Sequence, residues 1–163
     1  MSKRRVVVTG LGMVSPLGLN VPDTWRAILE GQSGVETVTA FDTTGYSTRF
    51  SGSVKNFDPS AVLSAKDARK MDLFIQYGMV AAHEAITGSG LQVTEANAHR
   101  IGVAIGSGIG GLPMIEKNHQ ILLESGPRRI SPFFIPSAIT QYKTIAISIP
   151  RTTGRVWIFI ASR

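Results

Sequence analysis

The sequence predicts an α/β fold, and three observations carry that expectation. Short apolar runs at residues 5–9 and 101–105 suit strands buried on both faces. Stretches of helical spacing begin near Pro22, near Ala65 and at Leu112. The run at 101–105 then breaks into Gly106-Ser107-Gly108-Ile109-Gly110-Gly111 directly before one of those helical stretches. Open α/β sheets place ligands at such strand-to-helix turns. A tight connection with no ligand explains the same residues, and composition leaves both readings open.

Taken in order, the strand at 5–9 ends in Gly10-Leu11-Gly12, which suggests a dinucleotide fingerprint. The fingerprint fails at its third glycine, where Ser15 stands, and Pro16 and Gly18 forbid an immediate helix. A helix is predicted from Pro22, whose fixed φ suits a first turn, to a stop at Gly31. Trp25, Ile28 and Leu29 share one of its faces. Residues 32–46 read as a loop, 49–54 as a strand, and Asp58-Pro59 as the opening of a short helical turn.

Ser64 with Asp67 forms a capping signal for one long helix over about 65–87. Met71, Phe74, Ile75, Gly78, Met79, Ala82 and Ile86 form its apolar stripe. The small residues Gly78, Ala81, Ala82 and Ala85 would admit a close neighbour, and Gly88 and Gly90 end the helix. After the helix at 112–124, Gly126-Pro127-Arg128-Arg129 leads into Pro132-Phe133-Phe134-Ile135-Pro136, read as a fixed, apolar, partly extended segment.

Composition excludes several function classes. The chain contains no cysteine, so disulfides, thiolate metal sites and a cysteine nucleophile are all absent. No apolar run reaches a membrane span and no signal peptide is legible, so a cytoplasmic protein is expected, with no membrane partner. The formal charge of +6 suggests nucleic acid until it is located. Lys143, Arg151, Arg155 and Arg163, with no acid among residues 141–163, account for four of it, leaving +2 for the first 140 residues. With no basic stripe and interleaved aromatics, no nucleic-acid partner is expected.

His83, His99 and His119 lack ligand spacing, so no metal site is expected, and His83 with Glu84 reads as a helix surface pair. Ser107 sits where a nucleophile elbow would, but the pattern is not G-x-S-x-G and no base is identifiable. It is read as a turn serine. Two basic clusters stand out: Lys66, Arg69 and Lys70 at helical spacing, and Arg128-Arg129 beside a rigid apolar segment. Each is either solvated surface charge or a docking patch for an acidic partner.

Together, MSKRRVVVTGLGMVSPLG at 1–18, GQSGV at 31–35, FDTTGYSTRFSG at 41–52, RKMDLFIQYG at 69–78, RIGVAIGSGIGGL at 100–112 and GPRRISPFFIPS at 126–137 carry a resemblance. The chain resembles the N-terminal part of the type II elongating β-ketoacyl-acyl-carrier-protein synthases of bacterial fatty-acid synthesis. That resemblance implies the N-terminal half of a thiolase-like, layered αβαβα architecture, here incomplete, and a homodimer without cofactors. It implies an acyltransferase that moves an acyl group from carrier protein onto a cysteine and condenses it with decarboxylating malonyl-carrier protein. Ile109 is similar to the residue gating the acyl pocket, and Phe134 to a pocket residue contributed across the dimer interface. Lys66, Arg69, Lys70, Arg128 and Arg129 are similar to the residues that dock the acidic acyl carrier protein, which favours the docking reading of both clusters.

The resemblance divides the chain into a partial synthase domain, 1–140, and a divergent tail, 141–163. Ile147-Ser-Ile-Pro-Arg-Thr-Thr-Gly154 echoes the family's nucleophile strand if a deletion precedes it, with Arg151 then in the nucleophile's place; on a gap-free alignment the cysteine would fall just beyond Arg163. A guanidinium stays protonated and cannot act as that nucleophile. The downstream histidines and lysine are absent as well, so the chain alone is expected to be inactive. The tail is read as a frameshift or truncation, and its run 156–160 as aggregation-prone if exposed. Two other functions fit the residues: a non-catalytic subunit that dimerises with a complete synthase, and a nucleotide-binding oxidoreductase resting on Gly10-Leu11-Gly12 alone.

Overall fold

The computed structural model describes residues 7–138. The tail at 141–163, Arg151 included, lies outside the described residues, as do residues 5 and 6 of the first expected strand.

Helix α1 spans Val21–Leu29. Asn20 caps it in extended conformation, its Oδ1 accepting the Asp23 N–H at 2.8 Å, and Pro22 sits in the first turn where no N–H is needed. Gly31, at φ +69°, turns the chain away in the left-handed region. The inward face differs from the expected one. Thr24 and Ala27 are buried, whereas Trp25 is 59 % and Leu29 70 % exposed. Small residues face inward because α1 lies close to the backbone of its own entry loop: Thr24 N is 2.7 Å from where a Gly18 Cβ would stand.

Strands β1, Glu36–Thr37, and β2, Phe50–Ser51, pair antiparallel in the register Glu36 to Ser51 and Thr37 to Phe50. The expected strand at 49–54 is therefore only two residues long, and part of the expected loop at 32–46 joins it. A salt bridge between Lys55 and Glu36 and an edge-on contact of Phe41 with Tyr46, centroids 5.8 Å apart, organise this excursion.

The long helix expected over 65–87 is two helices, α2 at Ala65–Ala68 and α3 at Leu73–Ser89. Ser64 Oγ accepts the Asp67 N–H at 3.1 Å and opens α2. The break comes at Asp72, whose ψ of 157° is incompatible with a continuing helix. The buried Gln76 side chain stabilises the break, donating to the carbonyls of Ala68 at 3.0 Å and Met71 at 2.9 Å. The Ala68 carbonyl also accepts the Met71 N–H at 3.2 Å, so Gln76 adds a second bond at the end of α2 and one to the residue before Asp72. Gly90, at φ 66° and ψ 14°, caps α3 in the left-handed conformation.

The small face of α3 receives the chain's first described residues. A Cβ on Gly12 would stand 1.8 Å from the Ala81 carbonyl oxygen, and one on Gly10 2.1 Å from that of Ala85. Two glycines are the condition for this approach. On the same side, Ile105 Cγ2 would lie 3.9 Å from a Cβ on Gly78. Glu84 fastens the arrangement: its carboxylate accepts the Met13 and Val21 N–H groups, each at 2.9 Å. The expected surface pairing with His83 is thus replaced by a bond to α1 and its entry loop, because Val21 has an orphan helix N-terminal donor.

Neither expected buried strand is a strand among the described residues. Residues 7–9 and 101–105 belong to no ladder there, and strand identity needs a neighbour's N–H and C=O as well as apolar side chains. Ile101 is nevertheless buried, following a 310 turn at Ala98–Arg100.

Helix α4, Leu112–Ser125, ends at Gly126 and is followed by a 310 turn, Pro127–Arg129, and helix α5, Phe134–Ala138. The segment expected to be partly extended is helical from Phe134, with Pro136 tolerated in its first turn. Both pieces pack against α4. The buried hydrophobic residues are mostly small: Ala27, Ala81, Ala82, Ala85, Ala98 and Ala138, with Leu63, Met71 and Ile101.

Candidate functional site

The glycine turn lies where α3, α4 and α5 meet. Gly110, at φ +89°, occupies a conformation that L side chains rarely adopt, and a Cβ there would stand 2.7 Å from the Ala138 carbonyl oxygen. The Gly111 N–H donates to that oxygen at 3.1 Å. Ser107 Oγ accepts the Gly110 N–H at 3.2 Å, so Ser107 is the turn serine its sequence context suggests. These bonds hold the backbone on both sides of Ile109, whose side chain is 74 % exposed.

Phe134 is the first residue of α5 and is half-buried. Its connection to Ile109 runs through α5, whose last residue, Ala138, bonds Gly111 at the far side of the turn. The two expected pocket residues are therefore attached to one unit.

Of the basic residues, Lys66 lies in α2 and Arg69 follows it, both exposed. Arg69 Nε donates to the Ala65 carbonyl at 3.1 Å, which lays its side chain along α2. Arg128 and Arg129 are exposed in the 310 turn after α4. Lys70 reaches past the second group: its Nζ stands 5.4 Å from the centroid of the Phe133 ring, a cation–π contact four residues beyond Arg129. The first cluster is thereby in contact with the apolar segment that follows the second.

Sequence reasoning missed Asp72. Its residue is 8 % exposed and its Oδ2 accepts the Met114 N–H of α4 at 3.2 Å. An Asp directly before the apolar run at 73–75 is a helix N-cap signal that would have located the break. Beside it, burial first and the negative charge of Asp72 second push the Tyr77 phenol above its ordinary value of 10.0. Among the described residues, no group of three or more His, Cys, Asp or Glu could hold a metal ion.

The glycine turn is thus held among the starts of α3 and α4 and the end of α5. The chain belongs to the β-ketoacyl synthase family: residues 3–151 match the family's N-terminal domain. It is 59 % identical over 151 residues to 3-oxoacyl-[acyl-carrier-protein] synthase 2 of Vibrio harveyi, covering 93 % of this chain and 36 % of that protein. With the synthase of the same name from Staphylococcus aureus it shares 46 % over 146 residues, 90 % of this chain and 35 % of the relative. The chain thus spans about a third of the length of the curated relatives it matches.

Among solved structures it is similar to the ishigamide ketosynthase/chain length factor, with a TM-score of 0.72 and 27 % identity, covering 85 % of this chain and 34 % of that one. It also matches a type II polyketide ketosynthase in complex with its acyl-carrier protein (TM-score 0.65, 25 % identity, 83 % of this chain and 36 % of that one). The fold is accordingly that of the N-terminal half of a thiolase-like ketosynthase.

Proposed function

We propose that this chain is the acyl-pocket and carrier-docking portion of a 3-oxoacyl-[acyl-carrier-protein] synthase of fatty-acid elongation. The observation that carries this is its 59 % identity over 151 residues to a protein of that name. In the complete reaction a cysteine thiol takes the acyl group from the carrier thioester, releasing the carrier thiol. Malonyl-carrier protein then loses CO2, and the resulting carbanion attacks the acyl thioester, expelling the cysteine as thiolate and leaving a 3-oxoacyl product.

This chain supplies none of the covalent steps, since it has no cysteine. Its share is binding. Ile109 stands at the mouth of the acyl pocket and Phe134 forms wall contributed across a homodimer, while the basic face receives the acidic carrier protein. The exposure of Ile109 and the anchoring of Lys70 against Phe133 support that division of labour. The site of action is cytoplasmic. No helix among the described residues is long and apolar enough to cross a membrane. The domain portion is 1–140, with 141–163 as a divergent tail, and the family match reaches residue 151.

Titration of the chain with acidic acyl carrier protein tests the reading. Charge reversal in Lys66→Glu/Arg69→Glu is expected to weaken binding by about tenfold, more at low salt than at high salt. Equal affinity for wild type and variant would remove the docking assignment. Turnover of acyl- and malonyl-carrier protein by this chain alone would remove the assignment of a purely binding role.

A further inference from the structure

We propose that Asp72 is the positioning residue of the Ile109 turn, supplying from another helix the N-terminal cap that α4 lacks. Asp72 stands at the N-cap of α3, yet its side chain makes no capping bond to α3. Helix α4 begins after Gly111, which has no side chain to cap with. The first-turn Met114 N–H instead donates to Asp72 Oδ2 at 3.2 Å, across 42 positions of sequence. A carboxylate there meets both an orphan donor and the positive end of a 14-residue helix.

The fit between the two partners is specific. A Cβ on Gly111 would lie 2.7 Å from Asp72 Oδ2 and 3.1 Å from its Cγ, so the carboxylate occupies the room that glycine leaves. Asp72 is itself held in place: its N–H donates to the Ser137 carbonyl at 3.4 Å, and its carbonyl accepts from Ile75 and Gln76. The next carbonyl of α5, Ala138, holds the Gly111 N–H. Consecutive carbonyls of α5 therefore clasp the starts of α3 and α4 together.

Displacement at the start of α4 reaches Ile109 through a short chain of bonds. The Leu112 N–H donates to the Gly110 carbonyl at 3.1 Å, and the Gly110 N–H to Ser107 Oγ at 3.2 Å. Asp72 also follows Lys70 by two residues, so the cap adjoins the contact of Lys70 with Phe133. That Ile109 borders an acyl pocket rests on the function proposed above; that Asp72 sets the position of Ile109 does not.

Amide exchange and isoleucine methyl spectra of the full 163-residue chain test the proposal. Asp72→Ala is expected to accelerate exchange of the Met114 amide by about tenfold or more and to shift the Ile109 δ1 methyl resonance. The Met13 and Val21 amides, held by Glu84, keep their rates. Asp72→Asn leaves an acceptor oxygen in place and returns the methyl resonance toward wild type. Unchanged Met114 exchange, an unmoved Ile109 resonance, equal acceleration at Met13 and Val21, or no recovery in Asp72→Asn each overturns the proposal. Should Asp72→Ala not fold, Asp72→Glu moves the carboxylate by one methylene and must still shift the Ile109 methyl; a static resonance overturns the proposal there too. Failure of the pocket reading shows separately, as acyl-chain binding indifferent to Ile109 substitution.

Discussion

Tyr77 packs edge-on against Phe57, ring centroids 4.6 Å apart, and its phenol is raised by burial and then by Asp72. In the folded chain the phenol keeps its proton after the unfolded chain has begun to lose it at 10.0. Ionisation therefore favours unfolding: this contribution is fully present below the ordinary value and is lost as pH rises above it. Denaturant midpoints measured across the alkaline range should fall less steeply in Tyr77→Phe, which keeps the ring contact and removes the titrating group. Parallel slopes for the two proteins would contradict the assignment. Glu84 makes the complementary point. Nothing in its neighbourhood along the chain announces that it receives amides 71 and 63 positions away.

At the scale of elements, α3 and the segment crossing it depend on missing side chains. Gly12→Ala places a methyl 1.8 Å from the Ala81 oxygen, a backbone atom that cannot rotate away. It should destabilise by about 2–3 kcal/mol or more, read as a lowered denaturant midpoint. Gly88, inside α3, would meet nothing within 4 Å, and its φ is not positive. Gly88→Ala should therefore stabilise by about 0.5–1 kcal/mol. Equal effects at the two positions would show that helix propensity, not the crossing, governs this helix. The division of α2 from α3 matters to the proposed site, since it places Lys66 in a separate short helix, with Arg69 at its C-cap, and frees Asp72 to serve α4.

At the scale of the whole molecule, many large apolar side chains among the described residues lie outside, while the buried hydrophobic residues are mostly alanine. Val8, Leu29, Ile109 and Leu123 are each 70 % exposed or more, while six of the nine buried hydrophobic residues among those described are alanine. Where exposed apolar side chains lie together they act as an interaction surface. The chain is expected to enhance the fluorescence of an apolar dye and to sediment increasingly as assemblies with rising concentration. A dye-silent, concentration-independent monomer would show that the exposed side chains are too dispersed to act as a surface.

The sequence by itself determined the helices whose ends are marked locally. Asn20, Pro22 and Gly31 bound α1, Ser64 opens α2, and Gly111 and Gly126 bracket α4, because caps and left-handed turns depend on a few adjacent residues. It also exposed the glycine turn, the small residues of α3, both basic clusters and, through dense motifs, the family. The Asp72 signal was present but hidden inside a longer helical pattern. Only the tertiary structure decided that Gly10 and Gly12 meet Ala85 and Ala81, that Trp25 faces outward, and that the runs at 7–9 and 101–105 have no ladder among the described residues. It also decided that the carboxylates of Asp72 and Glu84 serve distant amides. Dihedral preference and capping act over neighbouring residues, whereas strand pairing, burial and long-range hydrogen bonds depend on which surfaces the whole chain brings together.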